Sequence, residues 1–102
     1  RITDGQVKRL EAEIDELNAS LQPLRSFILP GGCAAAAHLH LARTVTRRAE
    51  RHMAELAASP DETVSAAALQ YANRLSDFLF VAARYVNDKG KADVLWVPGK
   101  TR

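Results

Sequence analysis

Val7, Leu10, Ile14, Leu17 and Leu21 recur at alternating spacings of three and four. That is the rhythm of a helix that buries one stripe against other helices. Lys8, Arg9, Glu11, Glu13, Asp15 and Glu16 fill the positions between them. A chain that begins this way has to find helical partners for its stripe. The spacing predicts a first helix over about residues 5–21, with Asp4 as its N-cap. Pro23 ends the pattern, because the residue before a proline is pushed out of the helical region.

Two more helices follow from the punctuation. Phe27, Ile28 and Leu29 run into Pro30, Gly31 and Gly32, so residues 22–33 read as a loop of specified shape, since proline fixes its own backbone angle and glycine admits angles closed to other residues. A second helix is predicted over 34–58, with a thin, alanine-rich stripe of Leu39, Ala42, Val45, Ala49, Met53 and Leu56. Ser59, Pro60 and Asp61 break it, and Pro60-Asp61-Glu62 resembles the start of a third helix over 62–87. Val64, Ala68, Tyr71, Leu75, Phe78, Leu79, Ala82 and Val86 give that helix a broad buried face, and Asn87-Asp88-Lys89-Gly90 terminates it. The tail over 88–102 is left as a short extended piece or disordered.

The totals agree with one all-α domain over 1–102. The chain has 102 residues, 47% hydrophobic and 25% charged, a soluble globular composition of a length for a single core. Strand-favouring runs are nearly absent. Cys33 is the one cysteine, which excludes an internal disulfide framework. No apolar run reaches the ~20 residues of a membrane helix, and the opening RITDGQ is not a signal peptide. A cytoplasmic setting without membrane is the expectation. Three helices make an incomplete-looking bundle, so extra helices before Arg1 or further copies of the chain are expected to complete the core.

The charge is concentrated in one place. Arg43, Arg47 and Arg51 fall at i, i+4 and i+8 and line one side of the second helix, with Arg48 about 100° round from Arg47. Four arginines against Glu50 leave a local excess larger than the +2 net charge of the whole chain. Like charges at this spacing repel unless an anion intervenes. Glu50, three residues from Arg47, is one such anion and is expected to tether it. Three readings of the face stand: a solvated, salt-bridged surface, a phosphate site suited to the two-pronged guanidinium, and a nucleic-acid surface. The last lacks interleaved aromatics and a strongly basic chain.

On the third helix, Asn73 and Asp77 share a face within YANRLSDFLF, Asn73 as a buried tether or a ligand contact and Asp77 as a partner for Arg74 or Arg84. His38 and His40 point about 200° apart on a helix, and neither pairs with His52 or Cys33 at metal-binding spacing, so no metal site is expected. No nucleophile–base pair, P-loop or GxGxxG motif is present.

FILPGG, then HLHLARTVTRRAER, then YANRLSDFLFVAAR, in that order and spacing, resemble the C-terminal half of the PduO-type ATP:cob(I)alamin adenosyltransferases over about residues 5–88. The resemblance implies a helical chain that forms part of a five-helix bundle, assembled as a homotrimer with sites between subunits. It implies ATP (with magnesium) and cobalamin as substrates, transfer of the 5′-deoxyadenosyl group to cobalt, and release of triphosphate. A B12-dependent mutase or dehydratase is the implied acceptor of the product. Carried over by motif, Arg43, Arg47, Glu50 and Asn73 belong to the ATP site, Arg43 through a salt bridge between subunits and Arg47 on the phosphates. Phe27 matches the phenylalanine beside the corrin ring, and the catalytic roles fall on Phe27 and Arg47. Reduced cobalt is itself the nucleophile, so the missing catalytic triad is what this chemistry requires.

Two departures accompany the resemblance. The family's glycine-rich, Thr/Lys-containing ATP loop would lie before Arg1, so this chain alone is not expected to bind ATP normally. Cys33 stands where a small hydroxyl residue is usual, a change of little consequence for size. The alternatives are a non-catalytic helical oligomerisation or corrinoid-carrying module, and a basic helical nucleic-acid binder.

Overall fold

In the computed structural model, which describes residues 1–99, three helices and a two-residue ladder make up the fold. Helix α1 spans Asp4–Asn18, strand β1 Ile28–Leu29, helix α2 Ala34–Ala57, helix α3 Ala66–Val86 and strand β2 Val94–Leu95. The all-α expectation therefore holds with one small addition. That ladder falls on the tail, which is the extended piece over 94–95; residues 100–102 of the tail lie outside the described residues.

The ends of α1 differ from expectation. Its N-cap is Thr3, not Asp4: the Gln6 amide donates to Thr3 Oγ1 (3.4 Å), and the Thr3 amide donates to Gln6 Oε1 (2.9 Å). This reciprocal box satisfies two orphan donors where Asp4 would satisfy one, and Asp4 instead sits in the first turn, where its charge suits the helix dipole. The helix ends at Asn18 rather than 21, because the poor helix formers Asn18 and Ser20 let the chain close in tight turns, Ser20 to Leu17 and Leu21 to Asn18. Pro23 comes after the helix has already stopped.

Helix α3 starts at Ala66, not 62. Ser65 caps it by accepting from the Ala68 amide (3.1 Å), and the β-branched Thr63 and Val64 before it stay outside the helix. The Pro60-Asp61 pair makes an isolated turn, closed by the Glu62 amide on the Ser59 carbonyl (3.3 Å), instead of a first helical turn.

Helix α3 is central and packs on both α1 and α2; among the described residues α1 and α2 do not meet. Val7 and Leu10 of α1 are buried. So are Ala72, Ser76, Val81, Ala83 and Arg84 of α3. The side of α2 that turns inward centres on Ala36 and His40. This corrects the stripe read from the sequence, since Val45 is 60% exposed and Leu56 47%. Val45 lies about 140° round the helix from His40, so one face of α2 cannot bury both. Leu41, Val45 and Leu56 are left as an uncovered apolar side of α2.

Candidate functional site

The loop after α1 forms a ledge. Strands β1 and β2 pair antiparallel, Ile28 opposite Leu95 and Leu29 opposite Val94. The ladder is prolonged by Trp96 N–H donating to the Phe27 carbonyl (2.8 Å) and by Ser26 Oγ donating to the Trp96 carbonyl (2.7 Å). Side chains alternate along a strand, so Phe27 is thrown outward and is 75% exposed. A large aromatic held at that exposure on a hydrogen-bonded ledge is available to a flat apolar ligand.

Beneath the ledge lies a buried polar latch. Asn87, 1% exposed, accepts from the Cys33 amide (2.9 Å) at the start of α2 and donates to the Gly31 carbonyl (3.0 Å) and to Asp93 Oδ1 (3.4 Å). Gly32 has φ +99°, and a Cβ there would collide with the Asn87 amide; the second glycine of the Pro-Gly-Gly stop is required on both counts. Arg84 donates to Asp93 Oδ2 (2.8 Å) and to the Gln22 carbonyl (3.0 Å), with side chains 7% and 1% exposed. The latch joins the end of α3, the ledge and the first turn of α2. Spacing had suggested Asp77 as a partner for Arg84 or Arg74; they pair with Asp93 and Glu11.

Along α2 the arginines divide. Arg43 is half-buried, its guanidinium 4.9 Å from the Phe80 ring centre and its Nε buried without a partner. Burial lowers its pKa, the neighbouring Arg47 charge lowers it further, and Asp77 raises it. Arg47 is exposed and lines a cleft of about 190 Å³ with Glu50, Arg51 and Ala54. Glu50 does not tether Arg47 as expected: its Oε2 accepts from Asn73 Nδ2 (3.1 Å). Asn73 Oδ1 in turn accepts from Arg74 (2.6 Å), which binds Glu11 of α1 (2.8 Å). Asn73 is thus the tether, and it holds the Glu50 carboxylate. Among the described residues no ion pair forms on Arg43, Arg47, Arg48 or Arg51, so their mutual repulsion is eased only by unpaired neighbours such as Asp77.

Arg43, Arg47, Glu50 and Asn73 are therefore brought to one α2–α3 seam, while Phe27 stands at the N-terminal end of α2. The rise along α2 from Cys33 to Arg47 is roughly 20 Å. A ligand touching Phe27 and Arg47 of one chain has to be elongated. The sequence reading weighed Arg84 only as a partner for Asp77 and Asn87 only as part of a helix end, and it missed Asp93 and Trp96. No group of three His, Cys, Asp or Glu gathers to hold a metal among the described residues.

His40, not expected to bind metal on spacing, sits 5% exposed with Nε2 unpartnered and its ring edge-on to Phe80 (6.3 Å). Burial lowers its pKa, Asp93 opposes that and Arg43 adds to it. A folded pKa below the unfolded value of about 6.5 means that the unfolded chain binds the proton more tightly. The neutral ring's contribution is complete above that pH and is lost as pH falls below it. The denaturation midpoint should therefore drop between pH 7 and pH 5 by more in the wild type than in His40→Gln, measured by urea melts at each pH. Equal drops would contradict this.

The helical scaffold thus carries two separate features, an exposed aromatic on a ledge and an arginine seam without ion pairs. The chain belongs to the cobalamin adenosyltransferase family, whose model matches residues 1–86. The corrinoid adenosyltransferase of Mycobacterium tuberculosis is 48% identical over 102 residues, all of this chain and 52% of the relative. The corrinoid adenosyltransferase PduO of Salmonella typhimurium is 49% identical over 81% of this chain and 24% of its own length. A PduO-type ATP:corrinoid adenosyltransferase from Lactobacillus reuteri, a phenylalanine-to-histidine variant solved with cobalamin and ATP, superposes with a TM-score of 0.81 at 38% identity, over 96% of this chain and 52% of that one. The chain spans about half the length or less of these relatives. No helix among the described residues is long and apolar enough to cross a membrane.

Proposed function

We propose that this chain serves an ATP:corrinoid adenosyltransferase, which transfers the 5′-deoxyadenosyl group of ATP to the cobalt of cob(I)alamin and releases triphosphate. The observation that carries this is the arginine seam without ion pairs: Glu50 bonds Asn73, Asp77 acts on Arg43 without pairing with it, and a polyphosphate supplies the missing charge. Magnesium enters with the nucleotide. Similarity to relatives named for this activity, and to a structure solved with both substrates, supports the same reading.

Each residue then has a task. Arg47 binds the phosphates and stabilises the charge that develops on the departing triphosphate. Arg43, fixed against Phe80, orders the seam and reaches a neighbouring subunit. Glu50 and Asn73 hold each other in place beside the nucleotide. Phe27 lies against the corrin and excludes water and an axial ligand from one face of the metal. The bond that forms is cobalt to C5′, the bond that breaks is C5′ to oxygen, and the electron pair leaves with the triphosphate.

The domain over 1–102 is completed by further helices of a five-helix bundle and by two further copies in a trimer. The uncovered Leu41, Val45 and Leu56 of α2 support that completion. The protein works in the cytoplasm and hands its product to a B12-dependent mutase or dehydratase.

The test is to supply the full-length protein with ATP and cob(I)alamin and to measure both products. One triphosphate per adenosylcobalamin is expected; ADP and phosphate without an adenosylated corrin would refute the reading. Phe27→Ala should lower corrinoid turnover at least tenfold, through loss of water exclusion at the metal, while the Kd for ATP stays within about twofold. Unchanged turnover would remove Phe27 from the corrin site.

A further inference from the structure

Trp96 lies beyond the segment matched by the family model, yet it is the residue that meets Phe27 across the ladder. The two backbones are joined by the Trp96 N–H on the Phe27 carbonyl (2.8 Å), and Ser26 Oγ holds the Trp96 carbonyl (2.7 Å). These bonds set the two residues opposite each other whatever their side chains do. The rings then meet edge to face, with centroids 5.8 Å apart and planes at 68°, the arrangement favoured by the ring quadrupoles.

The contact answers a problem that the ledge creates. A phenylalanine 75% exposed gains little from its surroundings, and water favours rotamers that fold the ring down onto apolar surface. A wall on one side selects the outward rotamer. Trp96 supplies the wall, and its steep tilt occupies little of the Phe27 ring. We propose that Trp96 is a positioning residue for the corrinoid reaction, holding the Phe27 ring outward and in one orientation so that the planar ligand meets a preformed surface. This rests on the reading that Phe27 faces the corrinoid.

The experiment uses the full-length protein and four forms: wild type, Trp96→Ala, Phe27→Ala and the double variant, with Trp96→Phe as rescue. Steady-state KM for cob(I)alamin and for ATP is measured for each, and far-UV circular dichroism checks that helicity is unchanged. The expected result is a rise of about tenfold in corrinoid KM for Trp96→Ala, the most that such a ring pair is worth, with KM for ATP within twofold. Trp96→Phe should recover most of the loss. In the Phe27→Ala background, removal of Trp96 should change corrinoid KM by less than twofold, since the ring it positions is gone. Additive effects, an equal rise in KM for ATP, or no effect of Trp96→Ala would each overturn the proposal while leaving the transferase reading intact. A wild type that neither binds nor adenosylates cobalamin would overturn both.

Discussion

Replacing Arg47 with alanine is expected to lower kcat/KM for adenosyl transfer by about 10²- to 10³-fold, the range found when one preorganised donor to a developing charge is removed. The expectation follows from where the charge stands. Arg47 is exposed beside a cleft it shares with Glu50 and Arg51, and no carboxylate pairs with it among the described residues. Its guanidinium is in no ion pair, and the one side-chain hydrogen bond that Glu50 makes among the described residues goes to Asn73. Arg47→Lys keeps the charge but loses the two-pronged geometry, so it should fall between the two. Arg48→Ala, on the next face of the helix, should change kcat/KM less than threefold. Comparable losses at Arg47 and Arg48 would mean that only diffuse positive charge matters there.

The second large effect concerns the fold. Asp93→Ala should destabilise the protein by about 3–5 kcal/mol, the usual cost of leaving one member of a buried ion pair alone. Arg84 would keep only the Gln22 carbonyl, and Asn87 would lose one of its acceptors. Against total stabilities of about 5–15 kcal/mol, this is a large share, read as a shift in the urea midpoint of the full-length protein. Replacing both partners with apolar residues, Arg84→Met with Asp93→Leu, should cost much less, because no charge is then left buried. If Asp93→Ala is no worse than that double variant, the latch contributes shape alone. The ledge hangs from the same latch through Gly31 and Cys33, so corrinoid turnover should fall with the midpoint.

Particular residues show why parts of this were legible beforehand. The stripe from Val7 to Leu17 and the Pro-Gly-Gly stop are local signals, and α1 and α2 appear where they point. Helix α3 began late because Pro60-Asp61-Glu62 offers a plausible first turn that Ser65, with its hydroxyl on the Ala68 amide, outcompetes. The inward face of α2 was misjudged because alanines carry little directional information. The outcome turned on His40 and Arg43 packing against Phe80. The arginine seam was legible as charge, and the motifs around it placed Glu50 and Asn73 in the same region. Their mutual bond was not legible, nor was the latch. Cys33 meets Asn87 across 54 residues and Arg84 meets Asp93 across nine, and no helical or strand periodicity connects such pairs.

The central claim is that the arginine seam and the ledge together perform adenosyl transfer. Single-turnover absorbance of the corrin, with full-length protein, ATP and cob(I)alamin in wild-type and Arg47→Ala forms, tests it most directly. The account predicts conversion to the adenosylcobalamin spectrum in the wild type, slowed at least a hundredfold in the variant. Conversion at the same rate in both, or in neither, would contradict it.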